Sequence, residues 1–304
     1  MYHALSFLTG VVIAVMVFIN GGLSEYYGIF VAVVIIHIVG VVFAFVLCAA
    51  QGKRIPPRQH QPLWIYLGGA IGVLTTVFNN FAFGKISMTS IVALGLLGQT
   101  AASLATDCLG LFGMEQHPFK RESFIGLGFS LFGIFIMMDR TVGSAACAAL
   151  FSLAAGVSVV LSRTVNACLA RHTGDLQGSL VNHLVGLPIT IVVAALVIMR
   201  DPAAFADLSC PSVFSTQAWI YCGGILGVST VLLCNITVPR VSAFRLTLLT
   251  FVGQLFTGIL LDLYSKNTYP GTSFVGGIVV AAGMVFNLVY EHVSAVRKPN
   301  GKSY

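Results

Sequence analysis

Ten apolar runs, separated by short polar stretches, occupy most of the chain: Leu5–Ile19, Ile29–Ala50, Leu63–Phe83, Met88–Leu111, Phe124–Met138, Ala145–Leu161, Leu180–Met199, Ala218–Val238, Ala243–Leu263 and Phe274–Tyr290. Most approach the ~20 residues that cross a ~30 Å hydrocarbon layer. An unpaired backbone N–H or C=O is costly in lipid, so runs of this length are predicted to be α-helices. The pattern predicts an all-α polytopic membrane protein with ten transmembrane helices. The first run has no Lys or Arg ahead of it and no small-residue cleavage pattern, which predicts a retained helix rather than a signal peptide.

Composition strengthens that picture. Only 9% of residues are Asp, Glu, Lys or Arg, while 57% are hydrophobic, against roughly 25% charged in soluble domains. Such a chain cannot cover itself with polar surface in water. Seven cysteines, an odd number, carry no paired short spacing, so neither a disulfide framework nor a zinc site is indicated. The formal charge of +6 lies between the spans and reflects positive-inside bias rather than nucleic-acid binding. Under the ten-span topology, Lys53, Arg54, Arg58, Lys120, Arg121, Arg163, Arg171, Arg240, Arg245, Arg297, Lys298 and Lys302 share the side of the N-terminus, and Lys85, Arg140, Arg200 and Lys266 take the other. Twelve against four predicts both termini in the cytoplasm.

The chain also repeats itself. "WIYLGGAIGV" at Trp64–Val73 returns as "WIYCGGILGV" at Trp219–Val228. At that offset of 155, Asn80, Ser87, Gly98, Gln99 and Asp107 match Asn235, Ser242, Gly253, Gln254 and Asp262; fourteen of 44 ungapped positions from Trp64 to Asp107 are identical. Upstream the offset is 146, pairing Gly10, Asn20, Gly28, His37 and Gly40 with Gly156, Asn166, Gly174, His183 and Gly186; downstream it is 150, pairing Gly126 and Gly133 with Gly276 and Gly283. Two five-helix repeats follow, residues 1–140 and 141–304. Five is odd, so the second copy enters the membrane inverted, a plan common among secondary transporters. Each Trp opens its helix after a polar stretch, as an indole at the lipid–water interface does. The pairs Gly68/Gly72 and Gly223/Gly227 share helix faces and predict close helix packing.

The stretch from Tyr66 to Gly113, and above all its "GQ…SL…D…GLFG" string, resembles the YdcZ-like branch of the drug/metabolite transporter superfamily, bacterial inner-membrane proteins found as five-helix units or fused pairs. The second copy keeps Gly253, Gln254 and Asp262 but has "LYSKN" in place of the glycine-rich tail. The resemblance implies ten helices, a central cavity between the halves with helices 5 and 10 away from it, export of a small solute, and no stated substrate.

Polar groups within the spans are the candidate functional residues. Gln99 and its mirror Gln254 fall near the midplane beside glycines, where the amide could bind an uncharged or zwitterionic solute, or instead tie the halves together. His37 and His183 could carry a coupling proton or donate to a carbonyl on a neighbouring helix. Asp107 and Asp262, near helix ends, are candidate gates or coupling sites, with capping or pairing to Lys or Arg as the alternative. Asn80 and Asn235 are close to helix ends, and Asn20 and Asn166 read as C-cap residues. Arg163 and Arg245 either snorkel to the cytoplasmic surface or, if turned inward, attract an anion.

No HExxH, no DxxD-type acid pair and no GxxxxGK[ST] loop is present, which argues against an intramembrane enzyme or an ATP-driven pump. A secondary transporter fits best, with a channel or structural membrane protein as the alternative. Its expected partners are a small-molecule substrate and the lipid bilayer, with a homodimer left open; no cofactor, metal or nucleic acid is expected.

Overall fold

The structure, a computed structural model, describes residues 1–52, 61–82, 85–86, 88–117, 123–138, 142, 145–200, 215–265, 271, 274–283 and 285–286, with the side chains at 80, 88–89, 123 and 262–265 outside that description. Ten α-helices are formed among these residues: α1 Tyr2–Tyr27, α2 Ile29–Ala50, α3 Gly68–Ala82, α4 Met88–Leu109, α5 Ser123–Met137, α6 Ala146–Thr173, α7 Asp175–Arg200, α8 Gly223–Thr237, α9 Ala243–Ser265 and α10 Phe274–Gly283. Seven are long and apolar enough to cross a membrane when α8 is counted with its leading turn Ala218–Cys222; α3, α5 and α10 are shorter apolar helices.

Two helices run past their apolar windows. α1 and α6 continue through Asn20 and Asn166 and stop only at Gly28 and Gly174, whose φ values of 75° and 97° end a helix without the Cβ penalty an L-residue would meet. The C-cap expectation for Asn20 and Asn166 is therefore wrong, because polar side chains end a hydropathy window without ending a helix. Both asparagines instead face glycine. Asn166 Oδ1 lies against Gly68, and Asn20 Oδ1 against Gly223, where a Cβ would collide with the oxygen.

The repeated Trp-Ile-Tyr phrase now has a local meaning. In each copy it forms a 3₁₀ turn, Leu63–Tyr66 and Ala218–Cys222, that hands over to an α-helix at the glycine pair. The tightest backbone approaches come from Gly69, on the Asn182 carbonyl, and Gly224, on the Ile36 carbonyl. Gly72 and Gly227 make looser contacts, with Ser162 Oγ 3.4 Å and His183 Nε2 3.3 Å from where a Cβ would stand. Trp64 and Trp219 remain 40% and 45% exposed, Trp64 tilted against Phe112 and Trp219 stacked on Phe18.

Helices of one half pack chiefly on the other half. α1 lies along α9 and α8, α3 along α6 and α7, α4 along α6, and α2 along α7. The crossings recur in pairs at the sequence offsets of the repeat: Gly10 on the Thr250 carbonyl and Gly156 on the Gly95 carbonyl; Gly253 on the Phe7 carbonyl and Gly98 on the Leu153 carbonyl. α5 and α10 meet through Gly133 and Gly276 and pack behind α4 and α9 in a cluster that includes Ile134, Met137, Leu248, Leu255 and Val280.

Candidate functional site

At the end of the bundle that holds Tyr2, four helices are fastened by polar contacts. Asp107 closes α4 and reaches α9, where its two carboxylate oxygens accept the Ala243 and Phe244 N–H groups at 2.6 and 2.8 Å. A carboxylate on the free amides of a helix start is a favourable pairing. Arg163 of α6 is buried, at 8% exposure, and its Nη2 donates to Ser103 Oγ at 3.0 Å, the Ala243 carbonyl at 3.2 Å and Thr247 Oγ1. The snorkelling expectation for Arg163 fails: three acceptors from α4 and α9 draw the guanidinium inward. Arg245 does reach an exposed setting, with Nη1 3.2 Å from His3 Nε2.

The same end is closed by Asn235, whose Nδ2 donates to the Asp175 carbonyl at 2.9 Å, and by Ser179, whose hydroxyl donates to the Val228 carbonyl at 3.1 Å. Around them Ala44, Cys48, Leu176, Leu180 and Val228 form a packed apolar plug. The counterpart of that plug at the Tyr27 end is open. Shifted by the repeat offsets, the plug region corresponds to a narrow cleft lined by Phe30, Val33, Val73, Thr76, Val77, Thr190 and Val193. α8 packs along α7, whereas its counterpart α3 stands apart from α2.

His37 and His183 come together at the crossing of α2 and α7, with ring centroids 5.7 Å apart. Each Nδ1 lies 2.9 Å from a carbonyl four residues back in its own helix, Val33 for His37 and Ser179 for His183. The carbonyl partner is thus intrahelical, not on a neighbouring helix as expected. Each ring covers a glycine of the opposite helix, His183 over Gly40 and His37 over Gly186.

Gln99 and Gln254 are half-buried, and neither lines the cleft. Their backbone nitrogens sit at the close crossings with Gly156 and Gly10. The side chains of Asp262 and Asn80 lie outside the described residues. Sequence reasoning missed Ser103, Thr247, Ser162 and Asn182. Asn182 Oδ1 accepts from Asn166 Nδ2 at 2.8 Å, and Ser162 Oγ donates to the Gly68 carbonyl at 2.8 Å. None of the four is matched across the repeat, and small hydroxyl and amide residues are common in membrane helices, so only the packing reveals them.

Large apolar side chains cover the outside of the bundle, with Phe45 62% exposed, Leu150 67% and Phe135 70%. A continuous apolar exterior of this kind is stable against lipid rather than water. The fold and its exterior define an α-helical integral membrane protein. The chain belongs to the family described as "Putative inner membrane exporter, YdcZ", which matches it twice, over residues 1–136 and 147–286. It is a tandem member of this branch of the drug/metabolite transporters, a family of transport proteins rather than enzymes. No curated protein matches the chain. A solved structure described as "Crystal structure of protein" superposes with a TM-score of 0.66 over 95% of this chain and 96% of its own, at 15% identity, a likeness of fold alone.

Proposed function

We propose that this protein is a secondary transporter that exports a small solute across the bacterial inner membrane by alternating access. Its ten helices are ten spans, arranged as two inverted repeats over residues 1–140 and 141–304, with both termini in the cytoplasm. One observation carries the reading: the apolar plug between α2, α7 and α8 has an open cleft as its counterpart between α2, α3 and α7. Two copies of one unit, held in different packings, are the arrangement alternating access requires. The paired glycine crossings support the duplication, and the twelve-to-four charge count supports the orientation. The Tyr2 end is then the closed cytoplasmic side and the cleft faces outward. Gln99 and Gln254 are the candidate solute contacts, and Asp107 with Asp262 the candidate gate elements.

The test is side-specific labelling of the full-length protein in right-side-out vesicles with a membrane-impermeant thiol reagent. Gln217→Cys and Val33→Cys are expected to label above the parent protein from outside, while Gln51→Cys and Leu232→Cys stay at the parent level. Labelling of Gln51→Cys and Gln217→Cys from the same side defeats the inverted repeat; equal labelling of Val33→Cys and Leu232→Cys defeats the one-sided opening. Flux of a metabolite panel into inverted proteoliposomes then identifies the solute.

A further inference from the structure

We propose that His37 and His183 together form the proton-binding site of this transporter, one exchangeable proton per pair, and that the coupling ion is therefore H⁺. The inference rests on the transporter reading and deepens it. Each repeat contributes one imidazole, and the fold brings them to one point, 5.7 Å apart between ring centroids. Each Nδ1 faces an acceptor carbonyl of its own helix, so in the neutral ring the hydrogen sits on Nδ1 and the Nε2 lone pair is left to take a proton. The rings cover Gly40 and Gly186, and His183 Nε2 also stands 3.3 Å from the position a Cβ at Gly227 would take, with Met16 Sδ beside it. Glycine on each of these faces leaves the lone pairs next to bare backbone.

The charged surroundings are simple. His37 and His183 act on each other, and among the described residues no other charged group acts on either ring. Asp107 and Arg163 belong to the closed end, where their side chains are hydrogen-bonded, and Asp175 lies at the same end with its main-chain carbonyl accepting from Asn235. With no carboxylate beside them, two imidazolium rings at this spacing repel. By Coulomb's law in a medium of effective dielectric about 20, the second proton binds about 100-fold more weakly than the first. The pair thus alternates between neutral and singly charged. Charging it within an apolar seam favours the arrangement in which water reaches the rings, which links proton uptake to movement of α2 against α7.

The experiment uses full-length protein, labelled with ¹⁵N-histidine and held in lipid nanodiscs, titrated from pH 8 to pH 4 by NMR. His37→Gln and His183→Gln assign the two rings. The expected result is a single proton taken up by the pair, a second step about two pH units lower, and a single step in each variant for the remaining ring, at higher pH than the second step of the pair. Two independent titrations that ignore the other ring's replacement, or two rings still neutral at pH 4, overturn the proposal. If a variant does not fold, the two-step titration of the wild-type protein decides alone. A second reading measures the distance between spin labels on non-canonical residues at positions 42 and 192, exposed on α2 and α7, at pH 5 and pH 8. A shift in wild-type protein that vanishes in the doubly substituted protein supports coupling. A paired titration with no shift assigns the histidines a structural role and also overturns the proposal. Neither reading needs a known solute, so absence of flux across the whole metabolite panel counts against the transporter reading separately.

Discussion

Two glycines in one helix, Gly253 and Gly258 of α9, give a direct measure of how much the helix crossings hold this bundle together. A methyl on Gly253 would run into the Phe7 carbonyl of α1 and crowd Gly10 and the Val11 nitrogen, whereas a methyl on Gly258 would meet nothing within 4 Å. For the Phe7 carbonyl to regain an ordinary separation of about 3.5 Å, α1 must retreat along much of its contact with α9. Overpacking of this kind costs about 1–3 kcal/mol. In water, Gly→Ala in a helix returns up to about 1 kcal/mol of propensity. A membrane helix stays helical when its neighbours leave, so this gain is small in both variants. Gly258→Ala is therefore expected within about 0.5 kcal/mol of wild type, and Gly253→Ala about 2 kcal/mol less stable. Reversible unfolding in mixed micelles of increasing SDS content, followed by the fluorescence of Trp64 and Trp219, measures the difference. Equal stability of the two variants would refute the claim that the α1–α9 crossing depends on backbone contact. The related variant Gly98→Ala, against the Leu153 carbonyl, should repeat the loss at the α4–α6 crossing.

Asp107→Ala removes both acceptors at the start of α9 and should cost about 1–2 kcal/mol in the same unfolding assay, as loss of a helix cap does; no loss would mean water replaces the carboxylate. Arg163→Met should leave stability within about 1 kcal/mol of wild type or raise it, because the buried charge is removed and Ser103 Oγ and Thr247 Oγ1 already lie 2.7 Å apart; a loss above 3 kcal/mol would show that the guanidinium holds the closed end. Gln99→Leu and Gln254→Leu should fold normally, since membrane hydrogen bonds average only ~0.6 kcal/mol, yet lose flux once a solute is known. Unchanged flux in both would remove the glutamines from the solute path.

The helical class, the duplication and the family were legible in the sequence, because each depends on local chemistry. Apolar runs of membrane-crossing length force helices wherever they occur, and a duplicated gene leaves the same glycines, histidines and glutamines at fixed offsets. Pairing His37 with His183 by offset correctly named two residues that meet. What the sequence could not settle was how buried polar groups are used. Arg163 looked like a snorkelling residue because no local signal announces Ser103, Thr247 and the Ala243 carbonyl, which lie 60, 84 and 80 residues away. Asn20 and Asn166 looked like helix ends because a hydropathy window registers polarity and not partners. Only the tertiary structure decided that these groups stay inside the bundle, with Arg163 Nη2 and Asn166 Nδ2 hydrogen-bonded there while Arg163 Nε, Asn20 Oδ1 and Asn166 Oδ1 have no hydrogen-bond partner among the described residues. It alone separated the plug around Val228 from the cleft around Val73, positions the repeat treats as equivalent. Equivalent residues fix which contacts a unit is able to make; the packing of the two copies against each other selects which copy makes them.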